Sequence, residues 1–296
     1  MKKSIILFIR NAIEISRLSN PKPILLLFFP CLWGLFLAYA PHISKKAIFI
    51  AMVIFLIGSI AARSFGCIVN DIMDRKIDAK VERTKNRPLA CGKMKVWQAL
   101  LVAFLWLQVC LLCFIIFNQT AKLMIFIGFI IALVYPLFKR FFNYPQLILG
   151  FGFNIGVLVG YATVYNQISN SSLIFYICGI YWTMFYDTIY AMQDAKCDEK
   201  ININSTARKY GSMIFGHLLK FIIIITGILI FGGYMSSMSF IYYLFIVPIL
   251  LTLIKIFKIV IKNEHEDSFN RAFQYNVIVG LLITLQILAG RYFMFI

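Results

Sequence analysis

The sequence predicts an all-α integral membrane protein, with nine transmembrane helices in a bundle around a central cavity that opens to the cytoplasmic side. Three observations lead to this prediction. Hydrophobic residues make up 61% of the 296-residue chain and charged residues only 14%, whereas about a quarter of residues are charged in soluble domains. The apolar residues form runs of about 20, which is the helix length that crosses ~30 Å of hydrocarbon. The basic residues lie mostly in the short segments between these runs.

The net charge of +17 would favour a nucleic-acid partner if the protein were soluble, because basic surfaces attract phosphate. Here the Lys and Arg residues border apolar runs, which is the pattern of residues that set membrane topology. We therefore expect the lipid bilayer, and no nucleic acid, as the partner of this chain.

The chain is expected to divide into a cytoplasmic N-terminal amphipathic segment, 1–22, and one polytopic domain, 23–296. The apolar stretch of the first segment is short and is interrupted by Arg10, Glu14 and Arg17, which is not the pattern of a signal peptide. The nine predicted spans are 23–40, 47–69, 96–117, 121–138, 146–165, 172–192, 214–234, 240–261 and 272–295.

The distribution of Lys and Arg over alternate loops predicts the orientation. One side of the membrane carries 23 of these residues and the other side carries 4. Because cytoplasmic loops are enriched in Lys and Arg, the N-terminus is expected in the cytoplasm and the C-terminus on the opposite side.

Two cytoplasmic loops, between the second and third spans and between the sixth and seventh, exceed 20 residues. Each begins with an acidic cluster where a helix leaves the apolar region. Long loops in compact proteins tend to carry function. This arrangement predicts two pseudo-repeat halves, each of which brings one acidic cluster to a shared cavity.

The first cluster contains Asn70, Asp71, Asp74 and Asp78, with Arg63 two helical turns deeper. Spacings of three and four residues place the three carboxylates on one helical face. Their mutual repulsion is relieved by a divalent cation, and carboxylate oxygens are the ligands that Mg²⁺ prefers. The alternative is a solvated helix end that is neutralised by neighbouring basic residues. An intramembrane arginine favours the functional interpretation.

The second cluster contains Asp187, Asp194 and Asp198. Spacings of seven and four again predict one helical face, with Asp187 two turns inside the apolar helix. A buried carboxylate requires a partner. The alternative to a functional role is a hydrogen bond to a neighbouring tyrosine, Tyr186 or Tyr190.

Further cations and a phenol are expected at the same depth. Tyr135, Lys139 and Arg140 lie at the inner end of the fourth span, and the loop 83–89 adds basic residues that include Arg87. Anchoring at the membrane surface is the alternative role for these cations.

Taken together and in order, four stretches resemble the signature motifs of the UbiA prenyltransferase family. They are Asn70-Asp71-x-x-Asp74-x-x-x-Asp78, Arg83-Thr-Lys-x-Arg87-Pro-Leu, Tyr135-x-x-x-Lys139 and Asp187-Thr-Ile-Tyr-Ala-x-Gln-Asp194-x-x-x-Asp198. The last stretch, together with Asn204-Ser-Thr-Ala207, looks like the bacterial members that act on 4-hydroxybenzoate. The resemblance covers nearly the whole chain.

The resemblance implies a Mg²⁺-dependent enzyme of the bacterial inner membrane. Such an enzyme transfers a polyprenyl group from polyprenyl diphosphate to the ring of 4-hydroxybenzoate in ubiquinone synthesis. The implied metal-binding residues are Asp71, Asp74, Asp194 and Asp198, and Asp187 joins them in the implied catalytic set. The implied substrate-binding residues are Arg63, Asn70, Asp78, Arg87, Tyr135, Lys139, Arg140 and Tyr190.

Two departures from the family pattern are visible. Ala195, Lys196 and Cys197 stand where the second motif often has further acids, which leaves fewer metal ligands, and Ala90-Cys91-Gly92 stands where the first loop usually reads Pro-Ser-Gly. Alternative functions are a UbiA-type enzyme for a haem, chlorophyll or naphthoate acceptor and, with less support, a transporter. The Asp-Gly-x-x-Ala-Arg pattern of CDP-alcohol phosphotransferases is absent from the sequence.

Overall fold

The computed structural model describes residues 2–82, 84–138, 140–193, 195, 204–262 and 266–295, and within these ranges it contains helices and no strand. The long helices are α1 (Lys2–Ile15), α2 (Lys22–Leu37), α3 (Lys45–Asp78), α4 (Val96–Ile116), α5 (Gln119–Phe138), α6 (Pro145–Tyr165), α7 (Asn170–Met192), α9 (Ile214–Met235), α11 (Ile246–Lys262) and α12 (Glu266–Tyr292). Two five-residue helices, α8 (Thr206–Tyr210) and α10 (Phe240–Leu244), and a 3₁₀ turn, Gly211–Met213, complete the list.

The prediction of an all-helical, multi-pass membrane protein is confirmed. In the described part of the chain, seven helical stretches are long and apolar enough to cross a membrane. These are Lys45–Asp78, Val96–Ile116, Gln119–Phe138, Pro145–Tyr165, Thr206–Met235, Phe240–Lys262 and Ser268–Tyr292. The remaining two predicted spans coincide with α2, a shorter apolar helix, and with α7.

The lower apolar content of α7 follows from its surroundings in the protein. Twelve of its 23 residues are buried, and several of them are polar or amphipathic. Trp182 donates a hydrogen bond to Asn276 Oδ1 at 3.2 Å, and Thr183 accepts one from Asn154 Nδ2 at 2.8 Å. A helix that contacts other helices on most sides needs little lipid-facing apolar surface, so its sequence is less hydrophobic than that of an outer helix.

The chain forms two compact units. The first comprises Met1–Leu25 and Val53–Ile116, and the second comprises Leu26–Met52 and Phe117–Ile296. In the first unit a buried apolar cluster joins the end of α1, α3, the loop 79–95 and α4. Its members are Ile15, Ile68, Leu89, Met94, Ala99, Val102 and Ala103. Because the long loop contributes two of these residues, it is packed against the helices.

In the second unit, α2 and α6 approach each other closely along a stripe of glycines. A Cβ atom on Gly34 would overlap the backbone of Val157, and one on Gly160 would overlap the backbone of Cys31. Small residues allow the backbones of membrane helices to come into van der Waals contact, which is a main source of their association in lipid.

Candidate active site

The first acidic cluster lies at the C-terminal end of α3, which runs without interruption from the apolar region through the whole motif. Asp71 and Asp78 are buried, with 2% and 6% of their surfaces exposed, whereas Asp74, between them, is partly exposed. The single helix confirms the spacing argument for a shared face. Asn70 and Arg63 are partly buried on the same helix, and Arg63 takes part in interactions of its own.

Two arginines hold the Asp71 carboxylate. The Nη2 atom of Arg17 donates hydrogen bonds to both carboxylate oxygens of Asp71, at 2.9 Å and 2.7 Å. The Nη1 atom of Arg87 donates to Asp71 Oδ1 at 3.2 Å and to Asp78 Oδ2 at 2.8 Å. Charge-assisted hydrogen bonds of this kind are about twice as strong as neutral ones. Two carboxylates and two guanidinium groups therefore form a chain of alternating charge with no net charge.

Arg17 reaches Asp71 from the segment that follows α1. The backbone N–H of Leu18 donates to Ile13 O at 3.3 Å, and that of Arg17 donates to Glu14 O at 3.1 Å. This pattern is a Schellman motif, in which the residue at the position of Arg17 adopts the left-handed conformation and is usually glycine. Arg17 has φ of 56°, and its Nη1 atom also donates to Glu14 O at 3.1 Å.

Hydrogen bonds of Ser16, the residue before Arg17, attach the end of α1 to α3 and α4. Ser64, on α3, donates to the carbonyl oxygen of Ser16 at 3.1 Å, and Trp106, on α4, donates to its hydroxyl at 2.9 Å. Nearer the start of α1, Asn11 donates to Lys93 O at 3.0 Å. These contacts place the N-terminal segment against the acidic cluster.

The loop after α3 folds back so that Arg87 can reach the two carboxylates. Thr84 is buried and donates from Oγ1 to the carbonyl oxygen of Asp78 at 3.0 Å, and the N–H of Arg87 donates to Thr84 O at 2.9 Å. Gly92 has φ of 74°, a conformation that glycine adopts without strain. The departure from the family pattern at 90–92 thus retains the glycine that this turn uses.

In the second unit, Asp187 and Tyr190 lie on α7 and are partly buried. The ring of Tyr190 packs against Phe273 of α12, with 5.2 Å between centroids. Asp187 takes part in interactions within the protein, in agreement with the expectation that a carboxylate at this depth has a partner. Its neighbour Tyr186 is buried and accepts a hydrogen bond from Thr183 at 3.2 Å.

The chain re-enters helix after the second motif at a buried polar contact. The hydroxyl groups of Thr188 (α7) and Thr206 (α8) are 2.7 Å apart, and the N–H of Thr206 donates to Gln146 Oε1 at 3.0 Å. At the C-terminus of α7, the Nε2 atom of Gln193 is buried and donates no hydrogen bond within the described residues.

Other predicted residues of the second unit lie at or beyond the end of α5. Tyr135 is partly buried in the last turn of this helix, and Arg140, in the turn that follows, is exposed. Three predicted site residues, Lys139, Asp194 and Asp198, lie outside the described residues, as does Arg83 of the family motif. The structure therefore brings together Asp71, Asp78 and Arg87, and it places the remaining described site residues on α3, α5, the turn after α5, and α7.

The donor atoms of the first cluster suit a hard cation, because Asn70 and the three aspartates offer oxygen ligands on consecutive turns. Within the described ranges, however, no three His, Cys, Asp or Glu residues form a metal-binding group. Asp71 and Asp78 instead bind arginines. The residues fit Mg²⁺ by chemistry, and they could bind it once the arginines take other acceptors.

Arg17 was not among the site residues expected from the sequence. It pairs with a residue 54 positions away, so no periodicity links the two. The position of Arg17 between an amphipathic helix and the first apolar run gave no distinct signal, because a basic residue there is also expected as a determinant of membrane topology.

Comparison with known proteins agrees with the fold and the motifs. Residues 27–278 match the model of the UbiA prenyltransferase family. A protein of Francisella tularensis named 4-hydroxybenzoate octaprenyltransferase is 37% identical over 269 residues, which are 90% of this chain and 92% of that protein. A protein of the same name from Vesicomyosocius okutanii is 34% identical, over 92% of this chain and 97% of its own length.

Solved structures share the fold at low sequence identity. The apo structure of a UbiA homolog from Aeropyrum pernix has a TM-score of 0.74 and 21% identity, and it covers 90% of this chain and 96% of its own. A UbiA homolog from Archaeoglobus fulgidus bound to GPP and Mg²⁺ has a TM-score of 0.72 and 15% identity, over 94% and 99% of the two chains. With the family match over most of its length, this chain belongs to the UbiA prenyltransferase family.

Proposed function

We propose that this chain transfers a polyprenyl group from polyprenyl diphosphate to the ring of 4-hydroxybenzoate, in ubiquinone biosynthesis. The observation that carries this proposal is the near-complete match to relatives named 4-hydroxybenzoate octaprenyltransferase, which spans about nine tenths of both chains. The geometry of the first unit supports the diphosphate half of the reaction, since two arginines lie at buried carboxylates on one helix end.

The proposed site contains the residues of both motifs. Asp71, Asp74, Asp194 and Asp198 would hold Mg²⁺, and Arg87, Lys139 and Arg140 would bind phosphate oxygens. The homologue from Archaeoglobus fulgidus, whose structure contains GPP and Mg²⁺, supports a requirement for this cation. When bound, Mg²⁺ would stabilise the negative charge that develops on the leaving diphosphate.

The side chains of this chain would orient and polarise the substrates. The allylic C1–O bond breaks and its electron pair leaves with the diphosphate, whose charge the arginines stabilise where water is excluded. A ring carbon of the acceptor forms the new bond to C1 and then loses its proton. Asp187 and a diphosphate oxygen are both able to accept that proton. Asn70 and Arg63 would line the acceptor side of the cavity, with Tyr190 on the other half and Tyr135 positioning Lys139.

We infer the membrane arrangement from charge and helix length together. All nine predicted spans, including α2 and α7, would cross the bacterial inner membrane, with residues 1–22 in the cytoplasm and the C-terminus on the opposite side. The motifs of the two halves would then face one cavity open to the cytoplasm. The strong bias of Lys and Arg toward one set of loops supports this orientation.

The proposal is tested by prenyl transfer from a radiolabelled polyprenyl diphosphate in membranes that contain the protein. We expect product with 4-hydroxybenzoate in the presence of Mg²⁺, no product with EDTA, and at least a hundredfold loss in Asp71→Asn and Asp74→Asn. The matched control is Glu82→Gln, which removes an exposed carboxylate of the same loop region. Product with a naphthoate or a porphyrin but none with 4-hydroxybenzoate would contradict the proposed acceptor, and full activity of the Asp71→Asn variant would contradict the proposed site.

A further inference from the structure

Asp71 is engaged by the protein itself in a way that the proposed function does not require. Both of its oxygens accept hydrogen bonds from Arg17, at 2.7 Å and 2.9 Å, and one also accepts from Arg87. Only 3% of the Asp71 side chain is exposed, against 25% for Arg17. A cation that approaches Asp71 therefore meets a carboxylate whose oxygens are already paired.

The conformation of Arg17 is unfavourable for a residue with a side chain. Its φ of 56° lies in the left-handed region, which costs about 1–2 kcal/mol for residues other than glycine. At the end of a helix in this motif, glycine is the ordinary choice. Strained positions that carry a large charged side chain are candidates for a functional role, and here the side chain reaches the carboxylate of the signature motif.

Electrostatics predicts how cation and anion binding depend on each other at this site. A divalent cation bound alone at Asp71 would either lie beside the two guanidinium groups or displace them from the Asp71 carboxylate, and both outcomes are unfavourable at low dielectric. A diphosphate that arrives with the cation supplies oxygens with which Arg17 and Arg87 can pair bidentately. The arginines can then release Asp71 without losing their hydrogen bonds.

We propose that Arg17 competes with the divalent cation for Asp71, so that the cation and the diphosphate bind as one unit. In the empty protein the Arg17–Asp71 pair keeps isolated cations out. When both ligands are present, Arg17 transfers from the carboxylate to the diphosphate. This inference rests on the proposed function, because it takes the diphosphate as the anionic ligand.

The decisive measurement is the binding of Mn²⁺ alone, followed through the EPR signal of the free ion, in the purified full-length protein. Arg17→Gly and Arg17→Asn remove the guanidinium, and both residues tolerate the left-handed conformation, so the end of α1 is retained. We expect each variant to bind Mn²⁺ about tenfold more tightly than the unmodified protein, which corresponds to about 1.4 kcal/mol. Arg10→Gln, an exposed arginine on the same helix, is the matched control and should leave the affinity unchanged.

Unchanged or weaker Mn²⁺ binding in both Arg17 variants would overturn the inference. A second measurement separates this result from a failure of the proposed function. Radiolabelled inorganic diphosphate is equilibrated with the unmodified protein in Mg²⁺ or in EDTA, and retention that depends on Mg²⁺ is expected. Absence of such retention would overturn the proposed function, and the inference with it. Retention combined with unchanged Mn²⁺ affinity in the variants would overturn the inference alone.

Discussion

At the scale of single residues, Arg87 is shared between two buried carboxylates. Its Nη1 atom lies 2.8 Å from Asp78 and 3.2 Å from Asp71. The shorter contact is to Asp78, the last residue of α3, and the backbone of the same residue accepts the hydrogen bond of Thr84. Asp78 therefore determines where the guanidinium of Arg87 is held before the substrate arrives.

Replacing Asp78 by Asn should raise the KM for the prenyl diphosphate about tenfold and change kcat much less. The reason is that a hydrogen bond between two charged groups contributes about 1.5–3 kcal/mol, and its loss would leave Arg87 less well oriented for phosphate. Initial rates measured as a function of prenyl diphosphate concentration would give KM and kcat separately. Glu82→Gln is the control, and a fall in kcat at constant KM would contradict this role of Asp78.

The hydroxyl pair of Thr188 and Thr206 allows a second test at this scale. Both residues are fully buried, and each hydroxyl is the partner of the other at 2.7 Å. Thr188→Val should lower the free energy of unfolding by about 1–3 kcal/mol, because the hydroxyl of Thr206 is left unsatisfied. The double variant Thr188→Val/Thr206→Val should lose less than the sum of the two single variants.

Thermal unfolding in detergent, followed by tryptophan fluorescence, gives the four stabilities of this cycle. Thr188→Ser keeps the hydroxyl and should remain within about 1 kcal/mol of the unmodified protein, since it loses only one methyl group. If the two valine substitutions lowered the free energy of unfolding by strictly additive amounts, the two hydroxyl groups would not stabilise each other.

The sequence revealed the carboxylates of the first cluster but not their partners. Spacings of three and four residues are local and translate directly into a helical face, so Asp71, Asp74 and Asp78 could be placed together. The Arg17–Asp71 pair joins residues 54 positions apart and depends on a left-handed residue at the end of α1. Long-range pairs of this kind are decided by packing, and a single sequence carries no periodic signal for them.

At the scale of helices, the contact between α2 and α6 depends on the absence of side chains. Gly160→Ala would place a methyl group on the backbone of Cys31, whereas Gly227, on α9, has open space around its would-be Cβ. A rigid backbone contact cannot relax by a change of side-chain rotamer. Alanine at either position changes the helix propensity by the same amount, but only alanine at position 160 meets a neighbouring backbone. The difference in stability between the two variants therefore measures the cost of the packing contact.

We expect Gly160→Ala to destabilise the protein by at least about 1–3 kcal/mol, the usual cost of overpacking. Gly227→Ala should be neutral or stabilising by about 0.5–1 kcal/mol, because alanine favours helix. The midpoint of thermal unfolding in detergent distinguishes the two variants. Equal midpoints would mean that α2 and α6 can separate without loss of stability.

Helix bounds were predictable where hydropathy changes sharply. They were less predictable where a single residue, such as a proline, determines that a helix ends. The predicted span 240–261 is broken between α10 and α11 at Phe245. Pro248 explains the break, because it has no N–H to donate to the carbonyl oxygen of Leu244, four residues earlier. The last helix starts at Glu266, six residues before its predicted start at 272, since the polar residues at this end add a turn that a hydropathy criterion ignores.

At the scale of the whole molecule, the proposed topology predicts that both α2 and α7 cross the membrane. If these two helices cross the membrane along with the seven candidate spans, then the segments 38–44 and 166–169 lie on the outer side. Cys91, in the loop after α3, is exposed and would lie on the inner side. Cysteine labelling can therefore count the crossings.

We expect a membrane-impermeant maleimide to label Ser44→Cys and Gln167→Cys from outside in spheroplasts, and to label Cys91 only in inverted vesicles. Each cysteine is studied in a background in which the others are replaced by serine or alanine. Ser44 and Gln167 are exposed, so lack of reaction would not result from burial in the protein. Labelling of Gln167→Cys only from the inner side would contradict nine crossings.

The glycine contact between α2 and α6 also sets an order of events during synthesis. More than 100 residues separate the end of α2 at Leu37 from the start of α6 at Pro145, which a ribosome needs about 5–20 s to translate. If α2 crosses the membrane, as we propose, it lies there during this interval without α6, the helix against which its glycine-containing surface packs. A photoreactive group at Cys31 should therefore cross-link to lipid or insertion machinery in nascent chains that are arrested before α6, and to the chain itself in longer ones.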